Sequence, residues 1–338
     1  MTQVDQDKQQ AQAKSNPLKG LLTIPLSLAS GWILYSNLLI DHEAPLPYAI
    51  PAKRVMYPAK TAVYLNYYVD KEQSGRPLVL IHSINAAASA YEMRPLFQFY
   101  RTERPVYALD LPGFGYSDRP ARAYTPQYFT ESILDFVESR VGEPVDVVAH
   151  SLSCEFVARA ALARPELFNS LTFISPSGFN KLNSGRASQR AGMNGKSDTF
   201  YKLFAFPLWA RPFFDLLATR RGIKFFLQQS FVGPIPEGFV DYAYAAAHQP
   251  GAANAPLYFV SGKLFTPDAR TELYARLHTP TLVIYDRDAF SSFDTLPQLL
   301  AHNRLWHEAR IVPSLGMPHF EKLPETTAAM NDFWQRLA

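Results

Sequence analysis

The sequence predicts an α/β domain: a mostly parallel central sheet flanked by helices, with a mainly helical segment inserted after the sixth strand. Three observations point there. Short apolar, β-branched runs alternate with helix-like stretches over most of the chain. One of those runs, Val145–Ala149, ends in a serine that has a small residue two places to either side. The alternation stops between about Ser177 and Phe265, where aromatic helical stretches take over, and then resumes.

Taken in order, residues 1–17 form a polar, Gln-rich tail expected to be disordered. Residues 18–43 follow as an apolar helix, and from Gly20 to Ile40 no residue is charged. At about 1.5 Å per residue that stretch reaches roughly 30 Å, enough for a bilayer core. The reading is a membrane anchor over 20–40, weakened by Pro25, Ser27, Ser30, Ser36 and Asn37; an apolar helix lying on the domain or at the membrane interface is the alternative. Lys8, Lys14 and Lys19 precede the segment while Asp41 and Glu43 follow it. That asymmetry favours a single pass with the main domain extracytoplasmic, against a soluble cytoplasmic protein as the alternative.

The domain proper reads as 44–176, an insertion over 177–265, and 266–338. Val63–Val69 alternates and is expected to hairpin with Arg54–Tyr57. Pro77–Ile81 and Val106–Leu111 have the unbroken apolar character of buried parallel strands. Val145–Ala149 is the next strand, leading into a helix from Leu152 to about Ala163 that must stop before Pro165. Leu171–Ile174, Thr281–Tyr285 and Arg310–Val312 complete the strands, and a helix near Glu321–Leu337 closes the chain. Helices within the insertion are expected around Phe200–Leu217 and Gly222–Phe231.

The whole chain has 338 residues, 47% hydrophobic, with a net charge of +3 and one cysteine. It can bury a sizeable core without disulfide or metal. Dispersed Lys and Arg give no nucleic-acid footprint. Neither an HExxH nor a paired-Cys pattern is present for a metal, and Gly113-Phe-Gly115 lacks the third glycine of a dinucleotide loop, where Asp118 stands. No cofactor is expected.

The serine run carries the chemistry. Ala149-His150-Ser151-Leu152-Ser153 has the form of a nucleophile elbow, a strand-to-helix turn so tight that bulky residues two places from the nucleophile would clash. Ser153 as nucleophile would place Glu155 at such a position, and Cys154 would place Leu152 and Phe156 there; only Ser151 fits. Serine needs a base, and the base an orienting carboxylate. In this architecture the order should be Ser, acid, His, each just beyond a strand. The chain supplies Asp286-Arg287-Asp288 after Thr281–Tyr285, and His319 after the last strand.

With Pro77-Leu-Val-Leu-Ile-His-Ser83, Asp110-Leu-Pro-Gly-Phe-Gly-Tyr-Ser-Asp118 and the elbow, the chain resembles the α/β-hydrolase superfamily, in its serine hydrolases with a helical cap. The resemblance runs from about Val55 to the C-terminus. It implies Ser151 as nucleophile, His319 as general base and acid, and Asp288 as orienting acid with Asp286 as runner-up. It implies an oxyanion hole from the backbone N–H groups of Leu152 and Ile84, although Ser83 stands where the family has glycine. It also implies a pocket near His82, Ser83 and His150, roofed by insertion residues such as Phe204, Trp209 and Phe213. Serine at 151 argues against epoxide hydrolase or dehalogenase chemistry, which in this superfamily attacks through a carboxylate.

The implied function is hydrolysis of an ester or thioester of a small lipophilic substrate through an acyl-enzyme. The same triad running C–C hydrolysis, lyase or perhydrolase chemistry is one alternative. Another, motivated by Ser83, Ala149 and Ser153 in place of glycines, is a binding or scaffolding protein on a hydrolase fold without catalysis.

Overall fold

The computed structural model describes residues 17–61, 63–180 and 197–337. The predicted polar tail lies outside them, except for Pro17. The chain divides after Asp41. The N-terminal unit holds a single helix, Pro17–Leu39. The helix is where the sequence puts it. Among the described residues, no helix is long and apolar enough to cross a membrane.

From His42 onward the chain forms one unit around an eight-stranded sheet of order β1-β2-β4-β3-β5-β6-β7-β8. β1 (Lys53–Pro58) and β2 (Tyr64–Asp70) pair antiparallel, as the alternating pattern predicts, and β2 pairs antiparallel with β4 (Val106–Asp110). β3 (Leu78–Ile81), β4, β5 (Val145–His150), β6 (Phe168–Ile174), β7 (Thr281–Tyr285) and β8 (Trp306–Arg310) run parallel. The α/β-hydrolase fold is therefore present.

β3, β4 and β5 are buried along their whole length because helices cover both faces of the sheet. On β5 the side chains alternate between two cores: Val145, Val147 and Ala149 face one, Val148 the other. Behind the first face, helix Ser153–Ala163 packs against helix Pro126–Phe136, with Phe156 stacked on Phe129 at 4.9 Å between ring centres.

β8 begins four residues before its predicted start. After buried Trp306, His-Glu-Ala-Arg310 alternates half-buried and exposed positions, as an edge strand does, so it lacks the apolar run that a central strand shows. Between β6 and β7 the described residues hold helices Ser197–Phe204, Ala210–Leu217, Arg220–Gln228, Phe239–Ala247, Asn254–Val260 and Ala269–Glu272.

Candidate active site

Ser151 sits one residue beyond β5, with helix Ser153–Ala163 starting two residues later. Its φ is 55°, the left-handed region that costs a non-glycine residue about 1–2 kcal/mol. The surrounding structure holds it there. Ser151 N–H donates to the Ile174 carbonyl at 2.9 Å, and its own carbonyl accepts from Cys154 N–H at 3.2 Å. Ala149 and Ser153 are both fully buried. Ser153 is more than small: its hydroxyl donates to the His82 carbonyl at 2.6 Å, tying the elbow to the end of β3. Burial, and secondarily the charge of Glu155, pushes the Cys154 thiol well above its ordinary range, which leaves Ser151 as the reactive candidate.

Ile84 and Leu152, the predicted oxyanion donors, are almost wholly buried, and their N–H groups donate to no backbone carbonyl outside regular elements among the described residues. The loop that carries Ile84 is organised by a residue that sequence reasoning missed. Glu92, in a short 3₁₀ turn after β3, is 2% exposed. Its carboxylate accepts from Ser83 N–H at 2.8 Å, Ser83 Oγ at 3.0 Å, Asn85 Nδ2 at 2.8 Å and His150 Nδ1 at 3.3 Å. Ser83, where the family has glycine, is thus bonded through both of its donors. His150 Nε2 also lies 3.0 Å from the Gly316 carbonyl, so acceptors face both of its nitrogens. Burial alone would raise the Glu92 pKa; the hydrogen bond and positive charge of His150 outweigh it and hold the carboxyl down at about 2. A lone acidic residue in the apolar stretch Ala86–Met93 was the available signal.

His82 spends both nitrogens on backbone: Nδ1 donates to Ser83 O at 2.6 Å, and Nε2 accepts from Leu111 N–H at 3.0 Å. Together with Ser83 and His150, it supports the loop and the elbow from below.

The two carboxylates after β7 divide their work. Asp286 is buried and accepts from Arg310 Nε at 2.9 Å and from Ser314 N–H at 3.2 Å, which clamps the loop following β8. Asp288 accepts from Phe290 and Ser291 N–H through Oδ1, while its Oδ2 faces the α-carbon of Gly316. A Cβ built on Gly316 would lie 3.0 Å from that oxygen and 3.6 Å from Ser230 Oγ.

His319 lies three residues further on, in the short helix Pro318–Glu321, and is fully buried. Its Nε2 donates to the Glu92 carbonyl at 2.8 Å, and its Nδ1 has no hydrogen-bond partner. The ring lies edge-on to His150, 5.5 Å between centres. Burial, then the positive charge of His150, drives its pKa down to about 3. Among the described residues no hydrogen bond joins His319 to Ser151 or to Asp288. The structure thus brings Asp288 to Gly316, and His319 to Glu92 and His150.

These pKa values fix an acid response. In the unfolded chain a histidine binds its proton near pH 6.5, whereas folded His319 resists until about 3, so stability falls as the pH drops through that window. Glu92 acts in the same direction lower down: its contribution is complete above about 4.5 and is lost as the pH falls towards 2. Going from pH 6.5 to pH 5, the His319 contribution amounts to about 2 kcal/mol at 1.36 kcal/mol per unit. The His319→Gln variant should lose correspondingly less stability over that interval in urea melts at the two pH values; an equal loss would refute the assignment.

Phe204 stacks on Phe213 at 4.8 Å and Trp209 on Phe206 at 4.5 Å, so these predicted pocket residues pack on one another within the insertion. A cleft of about 550 Å³ opens elsewhere, lined by His42, Arg122, Tyr201, Phe214, Asp215 and Tyr258 among others. None of the predicted site residues lines it. At its floor His42 Nε2 meets Asp215 at 2.9 Å, with His248 on the other side of the carboxylate at 4.0 Å.

A parallel sheet carrying a strained serine at the end of β5, with an aspartate loop after β7, defines an α/β hydrolase. The chain belongs to the alpha/beta hydrolase family, whose pattern matches residues 78–330. Among curated proteins it is similar to the uncharacterized hydrolase YugF of Bacillus subtilis, 31% identical over 117 residues, covering 34% of this chain and 42% of that protein. It is also similar to the 1-acylglycerol-3-phosphate O-acyltransferase ABHD5 of Homo sapiens, 32% identical over 107 residues and 30% of each chain. The matches thus span less than half the length of either relative. Among solved structures, a serine hydrolase involved in carbazole degradation, the CarC enzyme, superposes with a TM-score of 0.65 at 17% identity, covering 84% of this chain and 99% of that one. An epoxide hydrolase variant from Bacillus megaterium does so at 0.67 and 18%, covering 83% and 100%. At such identities these structures speak for the fold alone.

Proposed function

We propose that this chain is a serine-dependent hydrolase-fold protein that takes the acyl group of a lipophilic ester or thioester onto Ser151. The observation that supports it most is the backbone of Ser151, held at a φ of 55° between β5 and its helix. Strain of this kind persists only where the surroundings enforce it, and it lifts the hydroxyl out of the turn. Buried Ile84 and Leu152 supply N–H groups for an oxyanion, and the aromatic residues of the insertion suit an apolar acyl chain. A fluorophosphonate probe tests the reading. Wild type should label and Ser151→Ala should not, with both proteins melting alike; nitrophenyl esters of increasing chain length then define the acyl preference.

One observation favours a second reading, a hydrolase-fold binding protein without turnover. The imidazole that the family resemblance assigns as base is buried and bonded to the Glu92 carbonyl. Folded wild type that takes no label would establish that reading in place of the first.

A further inference from the structure

We infer that Gly316 occupies the place from which a general base would serve Ser151, so that acyl transfer to this serine proceeds without a histidine. The inference rests on Ser151 as the nucleophile and deepens that reading. Asp288, whose Oδ1 accepts from Phe290 and Ser291, brings its Oδ2 to 3.0 Å from where a Cβ on Gly316 would lie. On its other side Gly316 offers its carbonyl to His150, the neighbour of Ser151 in the chain. A side chain at 316 would start against the Asp288 carboxylate, with Ser230 as its next neighbour, on a residue whose carbonyl is bonded to the elbow through His150, and that is where a base linking the two must stand. His319 is directed elsewhere.

The remaining histidines do not fill the role. All eight in the sequence are among the described residues. His42 and His248 flank Asp215; His82 has both nitrogens on backbone; those of His150 face Glu92 and Gly316. His278 precedes β7, His302 ends the helix before β8, and His307 is its second residue. These three stand at the edge of the parallel sheet opposite to the one carrying Ser151.

In the acylation step the Ser151 oxygen forms a bond to the acyl carbon, and the bond to the alcohol or thiol breaks with its electron pair. The serine proton passes to hydroxide from solvent, and water protonates the leaving group. The rate should then climb steadily with pH, with no step in the imidazole range. The backbone of Gly316 lies outside the left-handed region, so a side chain can be introduced there, with Asp288 Oδ2 yielding by a few tenths of an ångström.

The test is the pH dependence of fluorophosphonate labelling and of nitrophenyl ester turnover for wild type, Gly316→His and Gly316→His with Asp288→Asn. Wild type should show no step between about pH 5.5 and 8. Gly316→His should react on the order of 10² to 10⁴ times faster and acquire a step near the histidine range, about 6.5, with Asp288→Asn removing most of the gain. Folded Gly316→His that labels no faster than wild type overturns the inference while leaving Ser151 as nucleophile. Folded protein that labels in neither form overturns both. Should Gly316→His fail to fold, wild type decides alone: a featureless profile supports the inference, and a step abolished by His319→Gln overturns it.

Discussion

Glu92→Gln should be among the most destabilising single substitutions in this protein, costing about 3–5 kcal/mol, as loss of a buried carboxylate that holds several donors does. The carboxylate accepts four hydrogen bonds from three residues and is 2% exposed. An amide of the same shape carries two N–H donors, so at least one of them must face a donor already present. His150 would keep its bond to the Gly316 carbonyl but lose its carboxylate partner. The Ser83 N–H, inside the loop leading to Ile84, would be left to compete for the remaining oxygen. For a chain of this size the loss corresponds to a fall in Tm of roughly 10 °C. Thermal melts at pH 7 measure it, and a drop of less than about 2 °C would show that Glu92 is not the anchor of this region.

Gly115→Ala should be comparably severe, at roughly 2–5 kcal/mol from left-handed strain and overpacking together. Gly115 has a φ of +52°, and a Cβ there would overlap the carboxylate of Asp110. That carboxylate cannot retreat cheaply. It is fully buried and accepts from Ala90 N–H and Asn66 Nδ2 at 2.8 Å each, and from Tyr116 N–H at 2.9 Å. The repeated glycines of Asp110-Leu-Pro-Gly-Phe-Gly-Tyr-Ser-Asp118 thus have a mechanical origin: the loop after β4 folds back over its own aspartate. Urea melts should show a lowered midpoint with an unchanged slope. A midpoint within error of wild type would mean that the loop can open without cost.

The fold was legible where sequence carries local information. β7 lies at its predicted residues because Thr281–Tyr285 is an apolar run between polar turns. The elbow was legible for a similar reason, since its sterics involve only residues two places from Ser151. Edge strand β8 was displaced because Trp306, His307 and Glu308 give no apolar run to read. The wiring around the serine was least legible. Whether Asp288 meets residue 316 or residue 319 depends on how two loops far apart in the chain turn over the sheet, and spacing does not encode that. Glu92 and Glu321 went unread because a buried carboxylate is recognised by its donors, which here come from distant segments.

Glu321 accepts from Val232 and Gly233 N–H through one oxygen, at 2.6 and 3.0 Å, and from Leu315 N–H through the other at 2.9 Å. The inserted segment and the strip of chain before Gly316 are therefore linked through this one side chain. A breathing motion that lifts Val232 and Gly233 must either break their two bonds to Glu321 or pull on Glu321 and, through it, on Leu315. Movement of the insertion and the placement of the chain before residue 316 are in this way mechanically geared to one another.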